Sequence, residues 1–453
     1  MSRSDWGATT NFTWGNTKRF AQKCCPEMTN KMRPGDMCYW RFPPYITLLA
    51  MFLIGVAPAR SAEPSVTIGF SIPLTGGLAP NGKSVLLAMQ IWQGGANAHG
   101  GLLGRQVKLD YYDDQSNPAM VPGIYTKLLD VDRVDLVVGF ATNMVAAAMP
   151  VVMQHNRMFL GLFALDANSR FHYPRYFSMV PAGGLRPKEA FSEGFFAVAM
   201  QQNPKPKTIA MAGADAEFSR SALEGARALA NQAGLKIVYD RSYPPNTVEY
   251  APIVRAIQAA KPDLVFVASY PPDTVGMIRA AREVGLKAKM WGGGMVGLQN
   301  TAIKMQLGSL LNGIVNFEVW LPFGELATHE SKQFFNKYQA RSAEAGADLL
   351  GYYMPPFGYA ELQVLEQAVE GTKGLDQDRI ADYLRTHTFR TIIGDVAFGS
   401  NGEWREPRVF EVQFQGVKGN DLEQFRDPKT ETVLWPERLR SGQIIYPYTD
   451  AQH

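Results

Sequence analysis

The sequence predicts an α/β protein of two similar lobes, each built on a parallel central sheet, joined by three chain crossings. Three observations predict it. Short apolar strands alternate with helix-period segments from Val66 to about Trp291, the order that gives a parallel sheet covered on both faces. The alternation breaks at Pro181-Ala182-Gly183-Gly184 and then restarts. The halves also echo each other: Asp135-Leu136-Val137-Val138-Gly139 and Asp263-Leu264-Val265-Phe266-Val267 are buried-strand patterns that each open on an aspartate.

The first unit runs from Val66 to Asp114. An apolar strand, Val66 to Ile72, meets a turn rich in Pro and Gly (Pro73, Thr75, Gly76, Gly77, Pro80, Gly82). A helix follows from about Ser84 to Ala98, with Val85, Leu86, Ala88, Met89 and Trp92 at helical spacing. Gly100, Gly101 and Gly104 stop it, and a strand from Gln106 to Tyr112 ends in Asp113 and Asp114. Further on, Ala119–Asp130 reads as a helix, Val134–Val138 as a strand, Met144–His155 as a helix and Met158–Leu162 as a strand. Right-handed crossovers place every strand-to-helix turn on one edge. The turns at 75–81, 141–143 and 163–166 should therefore face one crevice, where open α/β sheets bind ligands.

After the strand Tyr176–Val180 the second lobe begins. Helices are expected at 188–202, 220–233, 250–260 and 274–284, with strands at 208–212, 235–239, 264–268 and 289–291. The last strand runs into Gly292-Gly293-Gly294, read as a cleft loop. Ile314–Trp320 is a strand that carries the chain back, 330–345, 355–370 and 376–386 are helices, Thr391–Phe398 is a hinge strand and Val409–Gln415 an alternating edge strand. The tail from Lys418 should wrap the surface. Crossings near 181–187, 315–322 and 390–398 divide the chain into a lobe of 63–184 with 319–392 and a lobe of 185–318 with 393–453.

Residues 1–62 differ from the rest. They hold 8 Lys/Arg against 3 Asp/Glu, whereas the whole chain has 45 and 42. The body is thus near neutral, which argues against a nucleic-acid surface. An apolar run from Tyr45 to Val56 follows Lys31, Arg33 and Arg41 and precedes Ala57, Ala59, Ser61 and Ala62. This is the layout of a secretory signal, with Met28, Met32 and Met37 as alternative starts. Cys24, Cys25 and Cys38 all precede the run. A mature chain would then have no disulfide, thiolate nucleophile or cysteine metal site.

Other chemistries find little support. Gly292 to Gly297 fits G-x-G-x-x-G, with Glu318 near the distance of a ribose-binding acid, but Glu318 lies inside an apolar strand. The six histidines have no metal-ligand spacing and no G-x-S-x-G elbow occurs. Asp113 and Asp114 could suggest acid–base work, but a family resemblance carried in part by this same pair implies that they end a strand and hold adjoining turns. Phe140, Phe163, Phe218, Tyr270 and Trp320 fall at or beside strand ends. Aromatics converging there favour an apolar small-molecule pocket.

One ordered set of motifs carries a resemblance: Pro73-Leu74-Thr75-Gly76 after a strand, then Asn97-Ala98, Gly100-Gly101 and Gly104-Arg105 after a helix, then Asp113-Asp114. From Val66 to about Gln415 the chain resembles the type I periplasmic binding proteins, the branch of branched-chain amino-acid and amide receptors. The resemblance implies two Rossmann-like lobes joined by a three-crossing hinge that close on a small ligand and deliver it to the membrane permease of an ABC transporter. It implies an exported, periplasmic monomer with no cofactor, metal or catalytic residue. By position, Leu78, Asn81, Ala141, Thr142, Asn143, Phe163, Ala164 and Leu165 would contact ligand from the first lobe, and Phe218, Tyr270 and Gly294 from the second. Amino-acid-binding relatives place a carboxylate for the ligand ammonium where this chain has Gly294, and often a hydroxyl where it has Asn143 and Leu165. An unpaired buried ammonium is costly. The expected ligand is therefore an aromatic or apolar carboxylate. A branched-chain amino acid or amide, with Asp166 on the ammonium, is the alternative, and a nucleotide enzyme using the glycine run is a third reading.

Overall fold

The computed structural model describes residues 64–452, and the proposed signal segment and all three cysteines lie outside them. The first sheet has five parallel strands, β1 (Val66–Ile72), β2 (Val107–Asp113), β3 (Leu136–Phe140), β4 (Phe159–Leu162) and β5 (Tyr176–Ser178), in the order β2-β1-β3-β4-β5. Helices α1 (Ala79–Ala98), α2 (Val121–Thr126) and α3 (Thr142–Gln154) cross between them. The helix expected at 119–130 is broken into three pieces: a 3₁₀ turn at Pro118–Met120, α2, and a π turn at Lys127–Val131.

The second lobe follows the same plan with α4 (Pro187–Met200), β6 (Thr208–Ala214), α5 (Glu217–Gln232), β7 (Lys236–Tyr243), α6 (Ala251–Ala259), β8 (Leu264–Ser269), α7 (Pro271–Val284), β9 (Met290–Met295), α8 (Thr301–Leu307) and β10 (Val315–Glu318). The aspartate echo has a structural counterpart. Asp135 Oδ2 accepts from the Thr67 amide and hydroxyl, at 2.8 and 2.9 Å, while the Asp135 amide donates to that hydroxyl. Asp263 Oδ2 accepts from the amides of Lys207 and Thr208, and its own amide donates to the Thr208 hydroxyl. Each aspartate thus fixes the start of a central strand against its neighbour.

The remaining chain supplies helices α9 (His329–Ser342), α10 (Met354–Thr372) and α11 (Gln377–Thr386), then strands β11 (Thr388–Thr391), β12 (Gly394–Ala397), β13 (Phe410–Phe414) and β14 (Glu431–Trp435). Helix α10 lies along α1, with Trp92 Nε1 donating to Glu366 Oε2 at 2.9 Å. Strands β13 and β14 extend the second sheet, whose order is β14-β13-β10-β9-β8-β6-β7, with β13 antiparallel to both neighbours.

Three expectations are corrected here. Strand β13 is not an edge: all five of its residues are buried, because the tail forms β14 and covers its outer side. The hinge strand at 391–398 is a hairpin of β11 and β12. Phe398 packs on Phe177 at 5.2 Å and the Ser178 amide donates to Gly402 O at 2.8 Å. We therefore place the third crossing at 405–409, where the Arg408 amide donates to Pro181 O of the first crossing. Finally, Gly292, Gly293 and Gly294 form no loop; they lie inside β9. A Cβ on Gly292, whose φ is +140°, would sit 1.6 Å from Val315 O, so glycine there lets β10 pair with β9.

That close approach makes a test. Gly292→Ala should cost more than about 4 kcal/mol in urea unfolding, since no neighbouring side chain can yield. Gly94→Ala, in the exposed helix interior with nothing within 4 Å of the added Cβ, should instead gain about 0.5–1 kcal/mol. Equal effects would mean that the β9–β10 approach is not tight.

Candidate ligand-binding cleft

The site is built from the carboxyl ends of the strands. After β1, Asp113 holds the turn: its carboxylate accepts from the Leu74 and Thr75 amides, the Thr75 hydroxyl and the Gln115 amide. Partial burial opposes ionisation, but these hydrogen bonds outweigh it and hold Asp113 below the usual carboxylate range. The turn then enters α1 at Gly82, where a Cβ would meet Pro73 O at 1.9 Å. Only glycine lets the first helical turn press so closely on the strand end. Leu78 and Asn81 are thereby set into the cleft.

After β3, Ala141 has φ +56° and ψ 151°, and after β4, Phe163 has φ +53°. Such backbone is rare for residues with side chains and costs about 1–3 kcal/mol each, a strain that gathers at functional sites. The Thr142 hydroxyl secures both turns by donating to Phe163 O and accepting from the Leu165 amide, each at 3.1 Å.

From the second lobe, Phe218 begins α5 and Tyr270 precedes α7, their rings edge to face with centroids 5.9 Å apart. Asn143 Oδ1 reaches across and accepts from the Phe218 amide at 3.1 Å and from the Tyr270 hydroxyl at 3.0 Å. These elements line a small chamber of about 40 Å³, short of the roughly 300–1,000 Å³ of small-molecule sites, so a ligand must part its walls or share the space beyond it. It opens past Leu78, Asn143 and Tyr270 into an outer vestibule of about 500 Å³, whose rim carries Arg170, Asp215, Glu217 and Arg220.

The structure brings together eight of the expected residues on the chamber wall: Leu78, Asn81, Ala141, Thr142, Asn143, Phe163, Phe218 and Tyr270. It does not bring four others there. Ala164 and Leu165 are fully buried beneath the β4 turn. Gly294 is buried in β9, with Ala268 3.4 Å from where its Cβ would be. Asp166 faces a separate hollow beside Asn168 and Glu403, and Lys188 Nζ holds its Oδ2 at 3.0 Å. Trp320 also lies elsewhere, against Phe335 and Tyr352.

Sequence reading missed Tyr353, Met354 and Val296, which complete the wall. Tyr353 packs on Phe163 at 4.9 Å, and burial, then the charge of Glu318, pushes its phenol up. The available signal was Pro355 just inside a helix start, which puts Tyr353 and Met354 at the mouth of α10. No Asp, Glu, Lys or Arg lines the chamber. Among the described residues no cluster of His, Cys, Asp or Glu suits a metal ion, and no helix is long and apolar enough to cross a membrane.

A family model described as periplasmic binding protein matches residues 65–413. The chain belongs to that family. Its relatives include the leucine-, isoleucine-, valine-, threonine- and alanine-binding protein of Pseudomonas aeruginosa, 22% identical over 78% of this chain and 91% of the relative. Among solved structures, a solute-binding protein of an ABC transporter from Rhodopseudomonas palustris, in complex with 3,4-dihydroxybenzoic acid, has a TM-score of 0.65 at 20% identity, covering 78% of this chain and 94% of that one. A second from R. palustris, in complex with benzoate, has a TM-score of 0.68 at 15% identity, covering 82% and 95%. The two-lobed type I fold read from the sequence is the fold of these proteins, and the family is one of transport substrate-binding proteins rather than enzymes.

A buried acid beside Tyr270 gives a measurable pH dependence. Asp273 accepts from the Tyr243 hydroxyl at 2.6 Å and the Tyr270 amide at 2.8 Å. Burial, partly opposed by these bonds, pushes it up to about 6. This folded-state value lies above that of the unfolded chain, about 3.9. Its contribution to stability is therefore full below about pH 4 and is lost as pH rises through 6. Relative to the wild type, Asp273→Asn should gain up to about 3 kcal/mol between about pH 4 and about pH 7 in urea melts. A constant difference would mean that Asp273 titrates like an exposed aspartate.

Proposed function

We propose that this periplasmic binding protein is the exported, monomeric receptor of an ABC uptake transporter, and that its cleft takes a small aromatic or apolar carboxylate for delivery to a membrane permease in the periplasm. One observation carries the ligand class: the chamber wall is mostly aromatic and aliphatic, with no carboxylate to meet an ammonium. An α-amino acid would bury its ammonium without an anionic partner, at a cost of several kcal/mol. A carboxylate finds better terms. The first turn of α3, from Thr142, presents backbone N–H groups that have no intrahelical acceptor, and its dipole favours an anion. Phe163, Phe218, Tyr270 and Tyr353 supply ring faces and edges for an apolar body. The benzoate and dihydroxybenzoate complexes of proteins with this fold agree with that chemistry.

The second reading, a branched-chain amino acid, is favoured by the name of the Pseudomonas relative. It requires Asp166 as the ammonium partner, and Asp166 is held by Lys188 outside the chamber wall.

A thermal-shift panel on refolded, ligand-stripped protein separates the two. A ligand at about a hundred times its Kd adds roughly 2.7 kcal/mol of stability. Aromatic acids should stabilise the protein and leucine should not. Phe218→Ala and Tyr270→Ala should each weaken aromatic-acid binding about tenfold or more. Stabilisation by leucine alone would move the assignment to the amino-acid reading.

A further inference from the structure

We infer that Asn81 reads a hydrogen-bond donor on the ligand's ring, so that this cleft selects hydroxylated aromatic acids over their unsubstituted parents. The inference rests on the aromatic-acid reading and narrows it. Asn81 is the third residue of α1, 7% exposed, and lines the chamber. Its carboxamide oxygen is buried with no hydrogen-bond partner in the protein. Its amino group meets only the Met354 sulfur, at 3.6 Å, a weak acceptor. That contact orients the amide, because a sulfur offers nothing to the oxygen.

Three neighbouring polar side chains, Thr142, Asn143 and Tyr270, are engaged. The Thr142 hydroxyl both donates and accepts within the first lobe. Asn143 Oδ1 accepts twice from the second lobe, and the Tyr270 hydroxyl is one of those donors. Asn81, on the chamber wall, is therefore left with a buried carboxamide oxygen that has no donor. A ligand that brings a donor satisfies it. One that does not leaves it desolvated and unpaired, and sites built this way discriminate strongly against the analogue lacking the group. A ring hydroxyl is the small donor that an apolar chamber admits without a charge. The Tyr353 phenol on the same wall is the competing candidate for contact with such a hydroxyl.

The test is calorimetric titration of the refolded protein with benzoate, 4-methylbenzoate, 3-hydroxybenzoate and 4-hydroxybenzoate, using wild type, Asn81→Leu and Tyr353→Phe. The expected result is that one hydroxybenzoate binds the wild type about 10- to 100-fold more tightly than both benzoate and the size-matched methyl compound. Asn81→Leu should erase that preference, bringing the hydroxybenzoate to within about twofold of its methyl counterpart, and Tyr353→Phe should retain it. Equal wild-type affinity for all four acids would overturn the role of Asn81 and leave the aromatic-acid reading standing; a water in the adjoining hollow beside Asn300 and Asp348 would then be what meets the amide. A hydroxyl preference that survives Asn81→Leu but disappears in Tyr353→Phe would also overturn it. If none of the acids binds, the aromatic-acid reading itself fails, and this inference with it.

Discussion

The molecule depends on one constraint: parallel strands joined by right-handed crossovers must deliver their strand-to-helix turns to the same edge. Everything on the chamber wall arrives this way or at a helix start beside it. Leu78 and Asn81 follow β1, Ala141 to Asn143 follow β3, and Phe163 follows β4. In the second lobe Phe218 follows β6, Tyr270 follows β8 and Val296 follows β9. The paired contacts of Thr67 with Asp135 and of Thr208 with Asp263 lock the opposite ends of the same strands. With the strands held, the turns can carry strain. Ala141 and Phe163 keep positive φ because the Thr142 hydroxyl and the buried residues behind them leave no relaxed alternative.

Much of this was legible in the sequence, for a stated reason. Buried parallel strands read as continuous apolar runs, and their order fixes which turns converge; the eight wall residues within and beside those turns were implied by the family resemblance rather than by topology. The failures lie where direction or long-range pairing decides. Ala164, Leu165 and Gly294 belong to the right turns or strand but point into the protein, a difference of one or two residues that periodicity does not resolve at a bend. The glycine run looked like a loop because glycine usually marks one. Here it permits close packing of β9 against β10, a role visible only once the partner strand is known. The edge assignment of β13 failed similarly, because its cover comes from β14, seventeen residues downstream in a segment without clear periodicity. Tyr353 was missed because the chain returns to the first lobe at a helix start that no strand precedes.

Charge is partitioned as sharply as shape. Glu318, at the spacing of a ribose-binding acid, is instead part of a buried ionic group. Lys304 Nζ lies 2.5 Å from Glu431 and 3.8 Å from Glu318, and burial pushes the Glu318 carboxyl up. Such a group stabilises little in net terms but is costly to break, which suits a fixture at the foot of the second crossing rather than a ligand contact. At the cleft mouth, Arg220 is paired with Asp215 and Glu217. Between these two sets the chamber holds no charge at all. An anionic ligand there meets dipoles and amides in a low-dielectric space, where they act more strongly than in water, and meets no carboxylate to repel it.

The same logic bears on closure. Asn143 joins the lobes without a ligand, since its carboxamide oxygen accepts from Phe218 and Tyr270 across the cleft. Two such hydrogen bonds exchange for bonds to water and are worth about 1 kcal/mol each in net terms. That is a modest contribution to holding the two lobes together. Whatever further bias a receptor needs must come from the ligand's differential affinity for the closed form. Here that difference has an identifiable source. The rings of Phe218 and Tyr270 belong to one lobe and those of Phe163 and Tyr353 to the other wall, so only a body that touches both sets gains by closing. A small ion held at α3 alone would touch one lobe, whereas an aromatic acid of the kind proposed would touch both. On the proposed function, the apolar lining would serve the choice of ligand and the coupling of binding to closure through the same contacts.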